Sequence, residues 1–105
     1  MGEYTNHSLV ILEKGDSELS LDEHKEMISR KAGYDDWLFD GESAKWYGHE
    51  KDMRAYSVKF PNTIFILEGE GEESGDIWKE YHKDGKMQRC KAKVSFDSFD
   101  ESLLG

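Results

Sequence analysis

Residues 68–76 hold the densest group of side chains that could do chemistry. Glu68, Glu70, Glu72, Glu73 and Asp76 place five carboxylates in nine residues with no base between them. Such a cluster can bind a hard cation, meet a basic partner or keep a turn solvated. A calcium ion takes about six to eight oxygens, and a loop bent at Gly69, Gly71 and Gly75 could supply several. The segment lacks the alternating ligands and closing bidentate Glu of an EF-hand. A solvated turn is the plainer reading, and a surface for a basic partner is the functional one.

The four histidines, His7, His24, His49 and His82, are scattered, with no His-Glu-x-x-His spacing. His49 with Glu50 and Asp52 is the nearest approach to a metal or general-base set. That leaves a small metal-dependent enzyme or metal-sensing domain as the alternative reading. His24 and His49 fall on the apolar faces of two predicted helices, where they could meet over a sheet. There is no Gly-x-Ser-x-Gly, phosphate-binding glycine loop or dinucleotide fingerprint, so no catalytic residue, cofactor or resident metal is assigned. Cys90 is the single cysteine. It excludes an internal disulfide, fits a reducing cytoplasm and reads as a small core residue.

Trp37, Trp46, Tyr47, Trp78 and Tyr81 could stack bases, but a net charge of −9 repels nucleic acid and anionic membranes. The basic residues Arg89, Lys91 and Lys93, with Lys79, Lys83 and Lys86, read as the solvent face of two paired strands, with Glu80 available for a cross-strand pair. An aromatic such as Trp78, placed outward beside the acidic rim, would make a protein-binding hot spot.

The elements that position these residues follow from periodicity. Tyr4 to Lys14 contains Leu-Val-Ile-Leu, a continuous apolar run that predicts a strand covered on both faces. Ser20-Leu21-Asp22-Glu23 matches a capping box, and acids first, bases last and Gly33 next predict a helix over 21–32. Residues 42–47 predict a short strand carrying Trp46. Residues 48–59, with His49, Met53, Tyr56 and Phe60 at helical spacing, predict a second helix ended by Pro61. Residues 62–96 read as three antiparallel strands. Asp84-Gly85 makes the second turn, and Cys90, Ala92, Val94 and Phe96 are expected on the core face.

At 105 residues, with thirteen aromatics against 35% charged residues, the chain predicts one folded domain with a modest core and a possibly loose tail over 97–105. The fold class expected is α+β: a mainly antiparallel sheet of four or five strands with two helices on one face, in a ferredoxin-like, split βαβ variant. The N-terminus has neither the basic region nor the apolar run of a signal peptide, and no apolar run is long enough to span a membrane.

Trp46-Tyr47, Ser57-Val58-Lys59-Phe60-Pro61, the apolar strand after them and the acidic glycine-bearing turn leading to Ile77-Trp78 resemble a ferredoxin-like domain of phage- and plasmid-borne proteins. The likeness covers about half the chain and carries no assigned activity. It implies a mobile-element context, in which small acidic proteins inhibit host defence machinery. The reading that combines these points is a non-enzymatic, anti-CRISPR-like inhibitor in the bacterial cytoplasm, a monomer or homodimer. It would set Glu68, Glu70, Glu72, Glu73 and Asp76, with Trp78, Asp35, Asp36 and Asp40, against the basic surface of a nucleic-acid-handling protein. A dimerising accessory domain is a further alternative.

Overall fold

A computed structural model describes residues 4–71, 77–92 and 98–105. The Leu-Val-Ile-Leu run lies in β1 (Asn6–Glu13), but its burial alternates. His7 and Leu9 point inward, while Val10 is 41% and Leu12 60% exposed. The expectation of cover on both faces is corrected: β1 is an edge strand with helices on one side only, so one face stays open.

Helix α1 (Leu21–Lys31) begins as its cap predicts. The Ser20 hydroxyl accepts from the Glu23 amide at 3.2 Å, and the Glu23 carboxylate accepts from the Ser20 amide at 3.1 Å. After the helix Gly33 takes φ +88°, the left-handed region that only glycine enters freely. His24 and Ile28 are buried on the inner face. The strand expected over 42–47 shrinks to one antiparallel bridge, Thr5 with Ala44. Helix α2 (His49–Val58) buries Met53 and Tyr56 and stops ahead of Phe60-Pro61.

Strands β2 (Ile64–Glu70), β3 (Ile77–Lys83) and β4 (Lys86–Lys91) follow. Asp84 at φ 49° and Gly85 at φ 78° make the positive-φ pair of a type I′ hairpin. A short 3-10 turn, Glu101–Leu103, lies near the end of the chain. The α+β class holds. The sheet order is β1-β2-β3-β4 and every neighbouring pair is antiparallel. The described strands therefore form a meander with both helices inserted between β1 and β2, whereas a split βαβ unit would need a crossover between parallel strands.

Opposed residues on paired strands share a face. Three rows thus face the helices: His7–Gly69–Trp78–Lys91, Leu9–Leu67–Glu80–Arg89 and Ile11–Phe65–His82–Met87. The alternation expected for the last strand is present, but its sides are reversed. Cys90 stands opposite Lys79 on the open face, and Arg89 points under the helices. The physical reason is Glu80, whose buried carboxylate needs a cation beside it. Val94 and Phe96 lie outside the described residues. The core is Leu9, Ile28, Leu38, Ala44, Trp46, Met53, Tyr56, Phe65, Leu67 and Trp78.

Candidate functional site

Glu80 sits mid-strand in β3 and is fully buried. Its Oε1 accepts from His49 Nδ1 at 3.0 Å and from His82 Nε2 at 3.1 Å, and its Oε2 accepts from an Arg89 guanidinium nitrogen at 3.2 Å. The partners come from three elements: the first turn of α2, the next inward position on β3, and β4. Burial pushes the Glu80 carboxyl up, but hydrogen bonds from His49 and His82, and the charges of both rings, outweigh it and hold the group down at about 2. An ionised carboxylate only accepts, so each imidazole carries a proton on the nitrogen facing it. In its neutral form His49 is therefore the Nδ1–H tautomer, with its Nε2 free. In neutral His82 the partnerless Nδ1 is likewise a bare acceptor, which is less costly to bury than an orphaned N–H.

Aromatic rings hold this network in place. The His49 ring stacks on Trp78, with centroids 4.8 Å apart and planes at 18°, and the Arg89 guanidinium lies 4.7 Å from the Trp78 ring centroid. The Trp78 indole lies over Gly69, where an added Cβ would meet it at 2.2 Å. Gly69 thus serves as a slot for a ring as well as part of the glycine-bearing segment. Trp46 Nε1 donates to Asp52 Oδ2 at 2.8 Å, which ties the loop before α2 to the helix's first turn.

His7, from the start of β1, sets its edge against Trp46 at 5.4 Å and Trp78 at 6.1 Å. It is 3% exposed and its Nδ1 has no partner. Burial first, and then the like charge of His49, pull its pKa down to about 4 against the opposing effect of Glu80, so His7 is neutral at pH 7.

Above these groups opens a cleft of about 210 Å³, lined by Thr5, His7, Trp46, Tyr47, His49, Trp78 and Arg89. It offers aromatic faces, the free guanidinium N–H groups of Arg89, and one imidazole nitrogen, His49 Nε2, on a ring oriented by a buried carboxylate. Such a set can grip a planar group with an acceptor end, or move a proton at His49 Nε2.

Of the residues singled out by sequence, His7, Trp46, Tyr47, His49, Trp78 and Arg89 line the cleft, and the acidic residues fall elsewhere. His49 is in the cleft, but its carboxylate is Glu80, since Asp52 accepts from Trp46 and Glu50 from Arg54. Trp78 is 6% exposed and forms a cleft wall, which corrects its placement as an outward hot spot; its position on β3 turns it under the helices. Glu68 pairs with Lys79 at 3.3 Å on the open sheet face, and Glu70 is exposed at the end of β2. Asp35 sits at φ 52° in a turn, and it, Asp36 and Asp40 are exposed. Glu72, Glu73 and Asp76 lie outside the described residues.

His24 does not meet His49. Its Nε2 is 2.9 Å from the Ser17 hydroxyl and its Nδ1 is 2.6 Å from the Tyr56 hydroxyl, whose pKa burial raises to about 12. With both nitrogens engaged, His24 is a core residue. Among the described residues no group of three His, Cys, Asp or Glu side chains could hold a metal ion, so the metal-dependent alternative on His49 has no ligand set there.

Sequence reasoning did not connect His7, Glu80, His82 and Arg89 as a group. The available signal was Trp78, Glu80 and His82 at spacing two on one strand, which becomes informative only once that parity is known to face inward. No known protein family, curated protein or solved structure matches the chain.

Proposed function

We propose that this is a small binding protein whose working site is the cleft, and that its ligand is a planar group carrying a carboxylate or other oxyanion. The observation that carries this reading is the way Glu80 orients the cleft's polar groups. It holds His49 through Nδ1 and Arg89 through one nitrogen, leaving His49 Nε2 and the other guanidinium N–H groups for a guest. The walls suit a flat ring, and a charge-assisted bond from Arg89 suits its anionic end. At about 210 Å³ the cleft is smaller than the roughly 300–1,000 Å³ pockets that take drug-sized ligands. The guest is therefore the size of a single-ring metabolite or one protein side chain.

Two of the three tryptophans line the cleft, so intrinsic fluorescence reads its occupancy directly. Benzoate is expected to saturate and to raise Tm, more strongly than cyclohexanecarboxylate or inorganic phosphate. The R89Q variant should lose affinity about ten-fold or more, as expected when one charge-assisted hydrogen bond is removed. No saturable response to a planar carboxylate up to about 10 mM, a free energy of only about 3 kcal/mol, contradicts the reading.

A separate observation favours a second reading. Asp35, Asp36, Asp40 and Glu70 are exposed and enter no ion pair among the described residues. With the net charge of −9 they suit a basic face on a nucleic-acid-handling protein, the inhibitor role that the sequence resemblance implies. That binding would weaken steeply with salt and be indifferent to R89Q, which separates it from the first reading.

A further inference from the structure

The cleft holds a base as well as an anion grip. His49 Nδ1 is engaged by Glu80, so the lone pair of the neutral ring lies on Nε2. That nitrogen has no hydrogen-bond partner among the described residues, yet it is not one of the buried partnerless atoms, which are His7 Nδ1, Ser29 Oγ and His82 Nδ1. It is therefore open to the cleft that His49 lines. A lone pair repels an oxyanion, so the two polar groups of the cleft suit different parts of one guest. Arg89 suits an oxyanion, and His49 Nε2 suits an acidic proton.

The surroundings of that nitrogen favour proton removal. The buried Glu80 carboxylate touches Nδ1 at 3.0 Å and faces the imidazolium that forms when Nε2 accepts a proton. The His7 ring, with its centroid 6.3 Å from that of His49, is neutral at pH 7 and adds no opposing charge. The other oxygen of Glu80 holds Arg89 at 3.2 Å. Base and guanidinium are thus fixed by one carboxylate and lie against the same tryptophan, Trp78. No described hydroxyl or thiol bonds to His49 Nε2, which favours a proton of the guest over a covalent intermediate.

We propose that the cleft is a site of general-base catalysis, in which His49 Nε2 removes a proton from C3, the carbon between the ring and the ketone of an aryl 2-keto acid. This rests on the reading of the cleft as a site for a planar carboxylate, and it names the guest more closely. The ring lies among the aromatic walls. The carboxylate and the neighbouring keto oxygen meet two N–H groups of Arg89, whose fork matches such a pair of acceptors. The C3–H bond, acidified by ring and ketone, breaks. Its proton goes to Nε2, its electron pair forms the C2–C3 double bond, and the keto oxygen becomes an enolate oxygen facing the guanidinium. Return of a solvent-exchanged proton from Nε2 to C3 regenerates the keto acid. Atoms and charges balance with no oxidant, reductant or second substrate. His49 and Arg89 are the catalytic residues, and Glu80 is a positioning residue.

Phenylpyruvate in heavy water tests this, with the loss of its C3 methylene signal followed by proton NMR. The expected result is saturable exchange above the buffer rate. Benzoate, which has no such C–H, should inhibit competitively with an inhibition constant equal to the Kd read from tryptophan fluorescence. H49Q lowers kcat about 100-fold or more, the scale of a general base, and still binds benzoate. R89Q raises KM about ten-fold, in step with its loss of benzoate affinity, as well as lowering kcat. E80Q, which keeps an acceptor oxygen but no charge for the imidazolium, lowers kcat rather than raising KM. Circular dichroism checks each fold, and the benzoate competition needs no variant. Benzoate binding without exchange above the buffer rate overturns this inference and leaves the binding reading in place, whereas absence of both removes both. Exchange that benzoate does not inhibit at its Kd, or that a folded H49Q retains in full, also overturns it.

Discussion

Replacing Glu80 by alanine is expected to cost about 3–5 kcal/mol, the scale for removing one partner from a buried charged network. For a domain of this size that is a fall in Tm of roughly 15–30 °C. The loss is large because Glu80 is the shared acceptor of three side chains. His82 is fully buried with its other nitrogen already unpartnered, and Arg89 would be left beneath Trp78 without a counter-charge. E80Q keeps the shape and one acceptor oxygen but turns an amide N–H₂ towards a donor, so it should lie between E80A and wild type. The acid limb provides a second readout. A carboxyl held at about 2 in the folded state, against about 4.5 unfolded, binds fewer protons when folded. Its contribution is present above pH 4.5 and is lost as pH falls from 4.5 towards 2. His7, held at about 4 against 6.5, acts in the same sense at higher pH: its contribution is present above 6.5 and is lost between 6.5 and 4. Denaturant titrations from pH 7 to 3 should therefore show wild type losing stability throughout, with E80A flattened only below about pH 4.5. An E80A protein within about 1 kcal/mol of wild type at pH 7 would remove Glu80 from the centre of the network.

The second large effect is expected at Gly69. In an ordinary strand position Gly→Ala gains about 0.5–1 kcal/mol, because glycine loses more conformational freedom on folding. Here the new Cβ would lie 2.2 Å from Trp78 Cζ2 and 2.3 Å from Cε2, so the indole must leave its slot. Overpacking of that kind costs about 1–3 kcal/mol, and the displaced ring also loses its stack on His49, so the clash outweighs the entropic gain. G69A is expected to destabilise by about 2–3 kcal/mol and to shift tryptophan emission to the red. In a W78A background the same substitution should be close to neutral or stabilising. The resulting coupling of at least about 2 kcal/mol is what a double-mutant cycle would measure. Additive effects would mean that the ring does not occupy the Gly69 slot.

What could be read from the sequence was whatever a local rule fixes. The Ser20–Glu23 box, the Asp84-Gly85 turn and the Phe60-Pro61 stop each depend on neighbours within a few residues, and the structure has all three. The faces of the strands were harder. In β4 the apolar character of Cys90 pointed it inward, yet Arg89 goes in because Glu80, nine residues earlier, is buried opposite it. In β1 a continuous apolar run could not reveal that one side would have no cover. The cleft was the least legible feature, because its residues come from β1, the loop before α2, α2, β3 and β4, with no spacing to link them. His49 stood out for the right chemistry, but its carboxylate is thirty-one residues away. The acidic cluster drew the reading outward because charge density is visible in one dimension and burial is not.

A buried, ionised Glu80 fixes the ring of His49 and leaves Nε2 to the cleft. Long-range proton–nitrogen NMR correlation at mildly alkaline pH reports the tautomer of each imidazole separately. The predicted result is His49 as the Nδ1–H tautomer, reverting to Nε2–H in E80A, where no side-chain oxygen accepts from Nδ1. His49 as Nε2–H in the wild type, unchanged by E80A, would contradict it.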